Sequence, residues 1–94
     1  MQKIDSDQRL RELYDTGQGY IYNDFEGGHQ TASSRESNKL HRATCEECDP
    51  RRSKHAMTVN TQGQKLFFAN MSEAFKWLMT NRAGNWSKCL RCNP

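Results

Sequence analysis

Cys45-Glu46-Glu47-Cys48 and, after forty intervening residues, Cys89-Leu90-Arg91-Cys92 decide how this chain is read. Two residues between cysteines let one tight turn aim both sulfurs at a single point. Its backbone N–H groups can then bond to the thiolates. Two such pairs make a tetrahedral four-sulfur site, which suits zinc. The sequence therefore predicts a Zn2+ site on Cys45, Cys48, Cys89 and Cys92. An iron–sulfur cluster uses the same ligands, and two local disulfides or a redox pair are the remaining readings. A redox C-x-x-C follows a strand and opens a helix, whereas Pro50, Arg51 and Arg52 follow here. Four bound thiolates leave no position for a reacting water, which predicts a structural metal and no enzyme. No Ser-His-Asp set or paired carboxylate stands out, and His29, His41 and His55 are scattered. His41, four residues before Cys45, reads as a strand histidine, with a supporting or alternative-ligand role open.

Composition agrees with a metal staple. Ninety-four residues, 34% of them hydrophobic, make one small domain with little material for a core, and such chains need a staple. No apolar run reaches the length of a membrane helix, and MQKIDSDQRL lacks the apolar centre of a signal peptide. A cytoplasmic chain without membrane contact is expected, and there thiols stay reduced and favour metal over disulfide.

The net charge of +3 hides a polarity. Residues 1–49 carry six Lys/Arg against ten Asp/Glu, and residues 50–94 carry eight against one. Arg42, Arg51, Arg52, Lys54 and His55 border the first cysteine pair, and Lys88 and Arg91 the second. If both pairs meet on one metal, these side chains share a rim that could hold phosphate, giving salt-dependent binding with little sequence readout. The plainer role of such charges is to offset the thiolate centre and solvate the surface. Glu46, Glu47 and Asp49 read as a solvated face or, more sharply, a protein-docking face.

Along the chain, residues 5–15 predict a short helix capped by Asp5 or Ser6 and stopped by Gly17. GYIYNDF (19–25) alternates as a strand, residues 26–37 form a mobile Gly/Ser-rich loop, and NKLHRAT (38–44) extends toward Cys45. HAMTVNT and KLFFA predict a β-hairpin over 55–69 with Gly63 at its bend. NMSEAFKWLMTNRA (70–83) is the main helix, with Asn70 and Glu73 as a capping box. Its apolar face is Met71, Ala74, Phe75, Leu78 and Met79, and Gly84 ends it. Trp77 is expected to pack under the N-terminal helix or the Tyr20–Phe25 strand. Like Trp86, Tyr20 and Tyr22, it reads as core cover before it reads as a base-stacking platform. The expected fold is α+β: a hairpin or small sheet, one main helix, a short N-terminal helix and the four-cysteine zinc site. Residues 1–39 form an N-terminal helix, strand and loop, and residues 40–94 the zinc module.

LHRATCEEC, a basic turn, KLFFANMSEAFKWL and KCLRCNP follow one another in an order that resembles the Ada-like zinc modules. These are typified by the N-terminal metal-binding domain of the Ada DNA methyl-phosphotriester repair protein. The resemblance covers residues 40–94 and is most specific at Phe68–Ala74 and Cys89–Pro94. It implies a mixed sheet with a packed helix, one zinc on four cysteines, and contacts to DNA backbone. It also implies a place in a restriction, repair or mobile-element system, and a methyl-accepting cysteine at Cys45. The family has three residues between its first two cysteines and this chain has two, which departs from the methyl-transfer pattern. The leading expectation is a DNA-backbone-binding module. The alternative is a protein-interaction module acting through the acidic N-terminal half with Tyr20, Tyr22 and Phe25.

Overall fold

A computed structural model of the chain describes residues 1–26, 35–51 and 63–94. The elements are β1 (Gln2–Ile4), α1 (Asp7–Thr16), β2 (Tyr20–Asp24), β3 (Lys39–Arg42), a 3-10 turn (Glu46–Cys48), β4 (Gln64–Phe68), α2 (Met71–Asn81) and β5 (Ser87–Lys88). The strands form one sheet in the order β1-β4-β2-β3-β5. Every pairing is antiparallel except β3 with β5, which is parallel. The α+β class expected from the sequence is what folds. Residues 1–39 are not separate from the rest, because β2 lies between β4 and β3.

Strand alternation gives the sheet two working faces. Ile21, His41 and Phe67 stand in register on one face, and Ile4, Leu10, Leu13 and Ala43 complete that core with Cys45, Cys48 and Cys89. Tyr22, Leu40 and Leu66 stand on the other, where Phe68, Ala74 and Leu78 join them under α2. Each face is thus closed by one helix. No helix among the described residues is long and apolar enough to cross a membrane.

The helix ends follow local chemistry. Ser6 Oγ accepts from Arg9 N at 3.1 Å and Gly17 closes α1 at φ 74°, the left-handed conformation that glycine adopts freely. Asn70 Oδ1 accepts from Glu73 N at 2.8 Å. The Glu73 carboxylate, expected to complete a capping box, pairs instead with the N-terminal ammonium. The helix α2 stops at Asn81, earlier than Gly84, because Arg82 N and Ala83 N both turn back to the Leu78 carbonyl. Met79, predicted to face the core, is 73% exposed. Trp77 takes its place, packing on Phe68 and Tyr22 with ring centroids 5.7 and 6.5 Å away. Trp86 packs on Phe75 at 5.7 Å.

Of the expected hairpin over 55–69, only residues 63–69 are described. Its second strand is β4, which pairs with β1 along one edge and β2 along the other. The first strand of that expectation and most of the 26–37 loop lie outside the described residues.

Tyr22 is fully buried, and its hydroxyl has no hydrogen-bond partner among the described residues. Burial first, then the negative charge of Asp24, pushes its pKa far above the ordinary 10.0. The folded chain therefore holds the neutral phenol, while the unfolded chain ionises near 10.0. This contribution to stability is complete below that pH and is lost as pH rises beyond it. Tyr22→Phe should leave neutral-pH stability unchanged or raise it by up to about 1–2 kcal/mol, because a buried unmatched hydroxyl disappears. It should also extend the alkaline limit of folding. Thermal melts of both proteins from pH 7 to 11 test this, and a clear loss of stability in the Phe variant contradicts it.

Candidate metal centre

Parallel pairing of β3 with β5 brings the two cysteine pairs together. Parallel neighbours run the same way, so the chain leaves both strands at the same end of the sheet. Cys45 follows three residues after β3 and Cys89 directly follows β5. The amide of Cys89 extends the pairing by donating to Leu40 O at 2.9 Å. Beyond β3 the chain folds into a tight turn, with Cys45 N bonded to Arg42 O at 2.9 Å and Cys48 N to Cys45 O at 2.8 Å. The second turn closes through Asn93 N to Cys89 O at 3.0 Å. Arg42 ties the two, its backbone N–H 3.3 Å from Cys92 Sγ and its guanidinium donating to the carbonyls of Cys92 and Asn93.

The ligand atoms of His41, Cys45, Cys89 and Cys92 lie within 4.8 Å of one another. A tetrahedral site with metal–sulfur bonds of about 2.3 Å has sulfur–sulfur edges of about 3.8 Å, so a modest contraction suffices. This group can hold a metal ion. It differs from the predicted four cysteines in one member. Cys48 Sγ is outside it, buried and turned toward the Arg42 carbonyl at 3.7 Å. His41 enters because the sheet register sets it beside Ile21, on the face that carries the sulfurs.

Burial dominates the electrostatics. It pushes the Cys45 thiol up to about 12 and raises Cys48 and Cys89 as well. Such thiols stay protonated at neutral pH unless a cation stabilises the thiolate. Glu47 Oε2 accepts from Cys89 Sγ at 3.3 Å and lies 3.8 Å from His41 Nδ1. Lys65 is also on this face, only 7% exposed, with Nζ 2.7 Å from Asn23 Oδ1. Burial lowers its pKa and the neighbouring Cys48, when ionised, raises it.

The basic rim is largely matched by acid. Arg51 pairs with Asp49 at 2.8 Å and Asp15 at 3.4 Å, and Arg91 pairs with Glu46. Arg42, though exposed, is held on the carbonyls of the second knuckle as described. Arg52, Lys54 and His55 lie outside the described residues. Lys88 differs: with Arg35 and Lys39 it lines an open groove of about 260 Å³ along β3 and β5. Glu36, Ser87 and the 93%-exposed Leu90 complete that groove. Sequence reasoning missed Arg35 and Lys39 because their place on one groove with Lys88 depends on the β3–β5 pairing. No family model, curated protein or solved structure significantly matches this chain, so the reading of the site rests on its own residues.

Proposed function

We propose that this chain is a small zinc-stabilised module that holds the phosphate backbone of a nucleic acid, DNA first. Sulfur-rich donors favour zinc over hard cations, and the observation that carries the nucleic-acid reading is the groove. Arg35, Lys39 and Lys88 line it with a single acid, Glu36; Arg35 Nε donates to Trp86 O at 3.0 Å and Lys88 Nζ rests over the Phe75 ring at 5.1 Å, so both would swing out to meet phosphate. The phosphate surface thus moves from the predicted rim of Arg51 and Arg91 to the β3–β5 edge, with Lys88 common to both. Metal and groove are connected, because the second cysteine pair continues from β5 and fixes Lys88 and Leu90 at the groove wall.

Zinc-loaded protein is expected to bind random-sequence duplex DNA at low salt. Three phosphate contacts predict that log K falls with log salt at a slope of about −2 to −3. Lys39→Glu with Lys88→Glu should reduce binding at least tenfold and flatten that slope, with unchanged zinc content. Absence of binding at low salt overturns the reading.

The protein-interaction alternative loses part of its surface, since Tyr22 is buried under α2 and Tyr20 packs beside it. Methyl acceptance at Cys45 has no support from exposure: that residue is 4% exposed, and Cys92 is the more accessible sulfur of the group. An unchanged mass after incubation with methylphosphotriester DNA would exclude it.

A further inference from the structure

Lys65, Asn23 and His41 form a polar row across β4, β2 and β3, on the sheet face whose core includes Cys45, Cys48 and Cys89, with Asn23 half-buried between two buried partners. Lys65 and His41 are 7% and 1% exposed. Lys65 Nζ is 2.7 Å from Asn23 Oδ1, and Asn23 Nδ2 is 3.1 Å from His41 Nε2. An ammonium only donates, so the amide oxygen of Asn23 must face Lys65. The Asn23 NH2 then faces His41 and donates, and Nε2 must accept. A neutral imidazole whose Nε2 accepts carries its proton on Nδ1. Nδ1 is the ring atom on the cysteine side, because Glu47 Oε2 lies near both it and Cys89 Sγ.

We propose that the Lys65–Asn23–His41 row sets the tautomer of His41, so that its Nδ1 presents a proton to the thiolate centre instead of a lone pair to the metal. His41 is then a positioning donor. Proximity places it among the ligand atoms, and its tautomer excludes it from binding a metal there. The row also explains the buried lysine. Four thiolates on one divalent cation carry a net charge of −2, and Lys65 and the His41 N–H bring a full and a partial positive charge to the same face. The fourth ligand position would then fall to Cys48, whose sulfur has to turn from the Arg42 carbonyl, 3.7 Å away, to reach the group.

This inference rests on the zinc reading only for its link to the metal, and its test separates the two. Long-range proton–nitrogen NMR on 15N-labelled, zinc-loaded protein reads which nitrogen of His41 bears the proton. The wild-type chain should show protonated Nδ1 and a bare Nε2. In Asn23→Asp a carboxylate replaces the NH2 donor, so the proton should shift to Nε2 while Lys65 keeps an acceptor. A wild-type chain with Nε2 protonated, or with metal on Nδ1, overturns the proposal, as does an Asn23→Asp variant with an unmoved tautomer. Zinc content is measured on the same samples. A chain without zinc overturns the metal reading while leaving the tautomer assignment to stand or fall on its own spectrum.

Discussion

Stripping the metal with a chelator should unfold this chain at room temperature. Structural zinc in small domains contributes about 10–16 kcal/mol of apparent binding free energy at neutral pH. Whole domains are stable by only about 5–15 kcal/mol. The balance is tilted further here, because Cys45, Cys48 and Cys89 belong to the core of one sheet face. Without a cation these buried thiols give weak hydrogen bonds and modest packing. With one, they tie the end of β3 to the end of β5. Far-UV circular dichroism and a thermal melt, with and without chelator, read the effect. A melting temperature that moves by only a few degrees would remove the metal from the centre of the fold. Restored ellipticity on adding zinc, and not magnesium, would confirm the sulfur preference.

The second large effect is expected far from the sulfurs. Asp24 is fully buried at the end of β2, and Arg82 holds it in a two-pronged pair, Nη2 to Oδ2 at 2.6 Å and Nε to Oδ1 at 2.9 Å. Gln64 adds a third bond at 2.7 Å, and the guanidinium lies over Trp77, 4.7 Å from the ring centre. This pair fastens the C-terminal end of α2 to the sheet. Arg82→Ala leaves a carboxylate buried with too few partners, which costs about 3–5 kcal/mol. That is a large share of the whole stability. Urea denaturation should show the midpoint falling with an unchanged m-value. Replacing both partners by apolar residues of similar volume should recover most of the loss, since no charge is then stranded. Equal loss in the single and double variants would show that packing, and not charge, is what Arg82 supplies.

Local signals carried much of this fold, and long-range pairing the remainder. Ser6, Gly17 and Asn70 announce helix ends through nearest-neighbour hydrogen bonding, and Tyr20–Asp24 announces a strand by alternation. Gln2–Ile4 gives no such signal, being three residues with one buried side chain, and becomes a strand only because β4 offers an open edge. For the complementary reason, alternation announced β4 as extended but not that β1 and β2 flank it. The cysteines were legible as ligands from spacing. That His41 lies close among them and that Cys48 Sγ points to the Arg42 carbonyl depend on side-chain direction within the sheet. The rim arginines were legible as charge, but Asp15, Asp49 and Glu46 had to be placed before that charge could be seen as matched.

Strand β5 is two residues long, and its ladder registers only Lys39 with Ser87 and Leu40 with Lys88. So short a strand is a weak guard for the edge it covers. If the second knuckle opens, β3 becomes the outermost strand and exposes backbone N–H and C=O groups that pair readily with any extended chain. Metal supply would then govern self-association: zinc-replete chains stay apart, and depleted ones have an adhesive border. Such opening is local, so amide exchange at Leu40 and Cys89 should accelerate before the rest of the sheet responds.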